Sequence, residues 1–337
     1  MAVTKEESRQ KQLYTGVRLK NIVMHREFQQ ISLKAIDQQD AYFRFTFAPG
    51  IKGLITSIRQ VGLLTPVFLR TQRNSLQIIA GFRRIAAVTE CGLDEVPALI
   101  YHHISDKEAL LISMHQSIFA RPLNLIEKAN ILSKFMDIGL SQEEIITIIM
   151  PPMGIAPSPK LLQDYPALRD LPDEVKYYIV ENNLVLINAL KFLKFPPSQL
   201  QVLVNFLNRY HMGNNQFKEI ITLLYEISRR DGIEISKLLS KQKIIDIEKD
   251  DRLSRPQRLE ALKRFLKSLR LPHLSRMEEE FEKAVKELKL PPFIRISPPL
   301  FFEGDRYKLE ASFSSENDIK KIIERLQLLI SINHYFW

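Results

Sequence analysis

A short stretch, AGFRR at residues 80–84, places a glycine directly before two adjacent arginines. The preceding LQIIA has the composition of a buried strand, and the following RRIAAVTE has helical apolar spacing. Gly81 lets the backbone turn closely, and the free N–H groups of a helix N-terminus attract anions. Arg83 and Arg84 add forked donors that suit phosphate oxygens. The stretch predicts a phosphate site; the alternative is an ordinary helix start with two solvated arginines.

The elements around this stretch predict a mixed α/β domain over residues 31–105. Strands are expected at ISLKAI, PVFLR, LQIIAG and VPALIYH, and a helix over residues 51–61 is expected to end at Gly62. Residues 1–30 lack sustained periodicity, and we expect them to form a flexible arm.

The rest of the chain is predicted to be mainly helical, giving an α+β protein overall. A helical domain is expected over 106–250, a basic helix or linker over 251–274, and a small ββα unit over 275–337. We place the helices near 106–118, 123–137, 141–150, 158–165, 173–181, 184–194, 198–210, 215–230, 233–241, 255–269, 275–288 and 315–330. The last two strands are expected at FIRIS and YKLEASF.

Composition limits the class of protein. The 337 residues carry a net charge of +9, which favours a polyanionic partner. Residues 252–276 hold eight Lys or Arg against one acid, Glu260. No apolar run reaches the roughly 18 residues of a membrane span, and the first residues are too polar for a secretory signal. The single Cys91 excludes an internal disulfide, so we expect a cytoplasmic protein. The scattered histidines predict no metal site.

Three segments together resemble the nucleotide-binding N-terminal domain of the ParB partition family. They are SIRQVGLLTPVFLR at 57–70, AGFRRIAA at 80–87 and GLDEVPALI at 92–100. The resemblance implies a cytidine nucleotide, CTP with magnesium, as cofactor. Its phosphates are expected at Gly81, Arg83 and Arg84, and Thr65 is the candidate for contacting the base.

The chain departs from the family at the positions that support hydrolysis. HQSIFARPLNLIEKAN at 115–130 resembles the family's Glu-Asn-x-x-Arg box and the helix start after it, but the box falls on Gln116, Ser117 and Ala120. Arg121, one residue further on, is the candidate substitute for the missing arginine. Phe82 stands where the family usually has Glu. We therefore expect no catalytic residues here and little or no nucleotide hydrolysis.

A second fold relative, sulfiredoxin, raises the alternative of an ATP-dependent redox enzyme. That chemistry needs a cysteine nucleophile beside the phosphate-binding turn. Phe82 occupies that neighbourhood, and Cys91 falls near the far end of the helix, where a buried structural thiol is expected. The enzyme interpretation therefore lacks its nucleophile.

Residues 123–165 resemble the helix-turn-helix of the ParB family, with 158–165 as the recognition helix. Ser158 and Pro159 are a good N-cap and first-turn pair, and Ser158, Lys160 and Gln163 are the candidates for contacting DNA. The connection before them is longer and richer in proline than that of a tight helix-turn-helix. The alternative is a helical bundle without base contacts.

Two further segments extend the resemblance. RLSRPQRLEALKRFLKSLR has leucines at the regularly spaced positions 259, 262, 266 and 269. Arg264, Lys267 and Arg270 on this segment are candidates for contacting DNA phosphates. The alternative is a solvated helix packed on its neighbour. The terminal unit resembles the ParB dimerisation module, so we expect a homodimer through residues of about 290–330; docking onto the same chain is the alternative.

These observations favour a dimeric, nucleoid-associated DNA-binding protein for chromosome or plasmid partition or nucleoid organisation. The resemblance implies regulation by CTP and a partition ATPase as a further partner. The competing hypothesis is a degenerate ParB-fold scaffold that acts through protein partners without sequence-specific DNA binding or hydrolysis.

Overall fold

The computed structural model describes residues 26–47, 50–72, 75–288, 290–304 and 306–331. Contacts divide the chain into two units, Met1–Val204 and Asn205–Trp337. The fold is α+β, as the sequence predicts. The domain boundaries expected at 105, 250 and 274 stay predictions.

The first unit contains a five-stranded sheet in the order β1-β5-β3-β4-β2. The strands are β1 (Arg26–Ser32), β2 (Ile36–Asp37), β3 (Val67–Gln72), β4 (Ser75–Ala80) and β5 (Glu95–Tyr101). β1 pairs antiparallel with β5, with Arg26 opposite Tyr101, while β3 runs parallel to β5 and antiparallel to β4. Strand β1 begins at Arg26, within the arm expected over residues 1–30, so the arm boundary at residue 30 was wrong. Residues 1–25 lie outside the described residues.

Nine α-helices of three or more residues lie wholly or partly within the described part of this unit. They are α1 (Lys52–Val61), α2 (Phe82–Glu90), α3 (Asp106–Ala120), α4 (Leu125–Asp137), α5 (Gln142–Glu144), α6 (Pro159–Asp164), α7 (Asp173–Glu181), α8 (Leu186–Ala189) and α9 (Pro197–Leu207). The helix expected over 141–150 is a short α5 followed by a π-helical turn, Ile145–Ile149, and a 3-10 turn, Pro151–Met153. Pro151 and Pro152 lack the N–H groups that would continue the α-helix.

Two apolar cores meet at the start of α2. One contains the inward faces of β3, β4 and β5 with α1 and α2, including Val67, Ile78 and Val88. The other contains α3, α4 and the helical turns after them. Phe82 packs against both cores, so the first turn of α2 is held from two sides.

The second unit contains α10 (Asn214–Asp231), α11 (Ile235–Leu239), α12 (Gln242–Lys249), α13 (Arg255–Arg270), α14 (Pro272–Glu287) and α15 (Glu316–Ser331). α13 packs against α10, α12 and α14. A hairpin of β6 (Ile294–Ser297) and β7 (Lys308–Ala311) precedes α15. The sequence prediction missed α12, which buries only Ile244 and Ile247 and therefore has a weak apolar pattern.

Candidate nucleotide site

A cavity of about 390 Å³ lies beside the N-terminus of α2. Its wall brings together every residue expected to handle a nucleotide: Thr65, Gly81, Arg83, Arg84 and Arg121. These residues come from a loop, the β4–α2 turn and the end of α3, so only the fold makes them neighbours. The volume falls in the roughly 300–1,000 Å³ range of small-molecule sites.

Gly81 is required by both its conformation and its surroundings. Its φ is +106°, a region that side-chain-bearing residues rarely adopt. A Cβ at this position would lie 3.0 Å from Cγ1 of Val67 and 3.2 Å from Nε of Arg84. The turn from β4 into α2 therefore depends on glycine, which keeps the backbone open to the cavity.

Arg84 supports the loop before β3. Its Nη1 donates to the carbonyl oxygens of Pro66 and, at 3.2 Å, of Thr65, and its guanidinium lies 5.8 Å from the ring centre of Phe68. Burial lowers the pKa of Arg84 to about 10, so the group stays charged near neutral pH. Arg84 thus positions Thr65 and also contributes positive charge to the cavity wall.

Arg83 has a hydrogen-bond donor that no described residue uses. Its Nη2 donates to the carbonyl oxygen of Gly50 at 2.6 Å, but its buried Nε–H has no hydrogen-bond partner among the described residues. The Oγ1 of Thr46, on the same cavity wall, is also buried without a partner in the described part of the chain. Burial, and then the nearby charge of Arg121, lower the pKa of Arg83. An anion between these groups would satisfy the donor and relieve the repulsion.

Arg121 is held at the cavity by a buried carboxylate. Glu127 in α4 is 0% exposed and accepts both terminal guanidinium nitrogens of Arg121, through Nη1 at 2.8 Å and through Nη2. This hydrogen bonding raises the pKa of Arg121. Glu127 also accepts the backbone N–H groups of Phe47 and Asn124, at 3.1 and 3.0 Å. Glu127 is therefore the positioning group for Arg121.

The remaining wall is formed by the last turns of α3. Gln116 and Ser117, the positions where the expected family box is altered, line the cavity together with Phe82. Phe119 stands at its rim with 85% of its surface exposed, and its ring centre lies 6.3 Å from that of His115. Such an exposed aromatic face could stack on a planar ring.

Sequence reasoning missed Glu127, Thr46 and Phe119. The spacing of Asn124 and Glu127 is a capping-box signal, and both of its hydrogen bonds are present at the start of α4. That signal marks a helix start and does not reveal that Glu127 also binds Arg121. Nothing in the local sequence places Thr46 or Phe119 at the cavity.

The residues expected to contact DNA lie elsewhere in the two units. Ser158 caps α6 by accepting the N–H of Leu161 at 3.4 Å, and Lys160 and Gln163 are exposed on the same helix while Leu162 is buried. α6 therefore presents two polar side chains to solvent over less than two turns.

The basic helix α13 buries three of the four leucines of the predicted seam, Leu259, Leu262 and Leu266, while Leu269 is half-buried. The Nζ atoms of Lys263 and Lys267 each lie 2.9 Å from a carboxylate oxygen of Glu219 in α10. The Nε atom of Arg270 lies 2.9 Å from a carboxylate oxygen of Glu226. Arg264 is exposed and forms no ion pair with a described residue. Three cations of α13, Lys263, Lys267 and Arg270, are therefore already paired with carboxylates of α10.

The terminal unit leaves part of its apolar stripe accessible. Ile322 is buried, whereas Ile319 and Ile323 are 37% and 51% exposed. The side chains of Leu326 and Ile330, which continue the same helical apolar spacing in the sequence, lie outside the described residues. Leu309 and Phe313, near β7, are also exposed.

The described part of the chain has neither a metal-binding cluster nor a helix that could span a membrane. No group of three or more His, Cys, Asp or Glu is arranged to hold a metal ion. Within the same residues, every helix is too short or too polar to cross a bilayer.

The α/β fold carries an arginine-lined cavity at a strand–glycine–helix turn, and comparison with known proteins shows what this domain is similar to. The ParB N-terminal domain family matches residues 19–118. Over 95 residues, the chain is 36% identical to the chromosome-partitioning protein Spo0J of Thermus thermophilus. Residues 19–118 are thus similar to the ParB N-terminal domain, and the relatives support the predicted resemblance to ParB-type partition proteins.

The relatives share different lengths with this chain. The Spo0J match covers 28% of this chain and 35% of that protein, so the chain spans about a third of this relative's length. A nucleoid occlusion protein of Bacillus thuringiensis is 27% identical over 208 residues, which cover 60% of this chain and 69% of the relative.

A solved structure of ParB from Caulobacter crescentus complexed with CTP-γ-S is 24% identical. It covers 53% of this chain and 99% of that chain, with a TM-score of 0.24. That score is too low for residue positions to be carried over.

Proposed function

We propose that the cavity binds the phosphates of a nucleoside triphosphate, with CTP as the first candidate. The observation that carries this proposal is the convergence of Arg83, Arg84 and Arg121 on one cavity beside Gly81. Guanidinium groups and the N-terminus of α2 supply forked donors and a positive field. Thr65 is the candidate for contacting the base.

We further propose that hydrolysis is slow or absent. Phosphoryl transfer to water needs an oriented nucleophile and stabilisation of charge on the leaving oxygens. Phe82, Gln116 and Ser117 line the cavity and supply no carboxylate that could hold a metal ion or act as a general base. The ligand would then act as a regulator rather than as a substrate.

Calorimetric titration of the full chain with CTP and ATP tests the binding proposal. Arg83→Ala is the sharper variant, because Arg84 also supports the Thr65–Pro66 loop. We expect Arg83→Ala to weaken binding by at least about tenfold, since a charge-assisted contact is lost. Arg59→Ala removes the same charge from an exposed position in α1 and should bind as the unmodified protein does.

No heat with either nucleotide, or equal affinity of Arg83→Ala and the unmodified chain, would contradict the site. A phosphate-release assay on the same samples, with DNA present, examines turnover. Rapid DNA-stimulated release would contradict the proposed loss of hydrolysis.

At the level of the whole protein, we propose a dimeric DNA-binding role in chromosome or plasmid partition or nucleoid organisation, with a partition ATPase as a further partner. The similarity of residues 19–118 to the ParB N-terminal domain and the net charge of +9 support it. Ser158, Lys160 and Gln163 are the candidates for contacting bases, with phosphate contacts from Arg264 and, less directly, Lys267 and Arg270.

The scaffold hypothesis is favoured by one observation, the pairing of Lys267 and Arg270 with acids of α10. The two hypotheses differ in DNA affinity. A DNA-binding role requires affinity that falls steeply as salt rises, because phosphate contacts release counterions. A scaffold would show no DNA binding at physiological salt.

A further inference from the structure

The cavity offers an unusual donor set for a nucleotide site. Its polar side chains are three guanidiniums, the hydroxyls of Thr46, Thr65, Ser113 and Ser117, and the amide of Gln116. Among the described residues that form the wall, there is no aspartate or glutamate. Magnesium in nucleotide sites is usually held by one or two carboxylates together with the phosphates. The residues present therefore do not fit a magnesium ion.

The nearby carboxylate cannot take this role. Glu127 accepts Arg121 Nη2 and the Phe47 N–H on Oε1, and Arg121 Nη1 and the Asn124 N–H on Oε2. A carboxylate offers about four acceptor positions, and these four donors fill them. Glu127 is also fully buried. Binding a metal would require it to release Arg121 or the backbone.

The positive charge of the cavity wall also argues against a bound magnesium ion. Arg83 and Arg121 are close enough to lower the pKa of Arg83 by mutual repulsion, after the larger effect of burial. A divalent cation placed between them would add to that repulsion, whereas a phosphate group would remove it. The unpartnered Nε–H of Arg83 and hydroxyl of Thr46 add hydrogen-bonding groups that an oxyanion could satisfy directly.

We propose that this site binds the polyphosphate of its nucleotide without a divalent metal, with Arg83, Arg84 and Arg121 taking the place of the cation. This inference rests on the proposed nucleotide binding. It gives the site a distinct regulatory property, because occupancy by the nucleotide would not require magnesium.

The test is calorimetric titration of the full chain with CTP, once in EDTA and once in magnesium chloride, followed by inorganic tripolyphosphate in EDTA. We expect CTP to bind in EDTA at least as tightly as in magnesium chloride, because a cation carried by the nucleotide would add to the repulsion between the arginines. Tripolyphosphate should compete with CTP without metal. Binding that appears only in magnesium would overturn this inference and leave the nucleotide proposal standing. No binding in either buffer would overturn both.

A designed variant makes the test sharper. Gln116→Glu keeps the side-chain size but places a carboxylate on the cavity wall. We expect it to weaken CTP binding in EDTA by about tenfold or more through repulsion, and to regain much of the loss in magnesium. Gln116→Ala is the matched control and should gain no affinity when magnesium is added.

Thermal unfolding of each variant checks its fold, and Ser117→Asp repeats the design one residue along if Gln116→Glu is unstable. Unchanged affinity of the folded carboxylate variants in EDTA would overturn the inference, because the phosphates would then lie away from this wall.

Discussion

At the residue scale, the site depends on a single buried carboxylate. Glu127 joins Arg121, the backbone at Phe47 and the first turn of α4 through four accepted hydrogen bonds. Because its oxygens are saturated and shielded from water, its role is to position Arg121 and not to bind ligand. Glu127 therefore both shapes the cavity wall and stabilises the fold around it.

Glu127→Gln should reduce the free energy of unfolding by roughly 2–4 kcal/mol, because it leaves the half-buried Arg121 without its charged partner. It should also weaken CTP binding, since Arg121 would no longer be held at the cavity. Denaturant unfolding and calorimetry measure the two effects. Glu143→Gln, on exposed α5, is the matched control. A loss of stability below about 1 kcal/mol would contradict the positioning role.

At the element scale, α13 shows how packing changes the meaning of a charged segment. Its sequence is strongly basic, yet Lys263 and Lys267 share Glu219 of α10, and Arg270 pairs with Glu226. Exposed ion pairs contribute only about 0–1 kcal/mol each, so they orient the cations more than they stabilise the fold. A paired cation must leave its partner before it contacts a phosphate.

This arrangement predicts unequal effects on DNA binding for two substitutions that each remove one positive charge. Arg264→Ala should flatten the slope of log K against log salt by roughly 0.9, the contribution of one phosphate contact. Lys267→Ala should change the slope much less, because its charge is already directed to Glu219. Fluorescence anisotropy with one DNA duplex over a salt series measures both. Equal slope changes would show that the ion pairs do not matter for DNA contact, and no change in either would place the DNA surface off α13.

The same elements show how far sequence reasoning reaches. Strands β3, β4 and β5 and helices α1 to α4 were predicted because their apolar spacing and punctuating glycines are local signals. The π-helical turn at Ile145–Ile149 was not, because its apolar pattern resembles that of an α-helix until the prolines end it. Arg83 and Arg84 were predicted from a local motif. Thr46 and Glu127 were not, because their roles arise from contacts between distant segments.

At the scale of the whole molecule, α15 carries the exposed apolar surface through which the predicted homodimer would form. Ile319 and Ile323 are exposed on a helix that follows a two-stranded hairpin too small to cover its own apolar face. A standard interface buries roughly 1,600 Å² in total, and a symmetric pairing of two such units could supply that area.

Light scattering of the full chain should give twice its 39.3 kDa mass. Ile319→Asp combined with Ile323→Asp should give a monomer, because both charges would be buried without partners at the interface. Lys320→Asp with Lys321→Asp changes the neighbouring exposed positions and serves as control. A monomeric unmodified chain, or a double isoleucine variant that stays dimeric, would contradict dimerisation through this face.

The Nε–H of Arg83 reports directly on the proposed binding of phosphate oxygens at the arginine-lined cavity. This group is buried without a partner among the described residues, so it should gain an acceptor when ligand binds. In ¹H–¹⁵N spectra of arginine Nε groups, with Arg83 assigned through Arg83→Lys, saturating CTP should move its signal downfield while that of Arg59 stays in place. A stationary Arg83 signal under conditions where calorimetry shows saturation would contradict the claim.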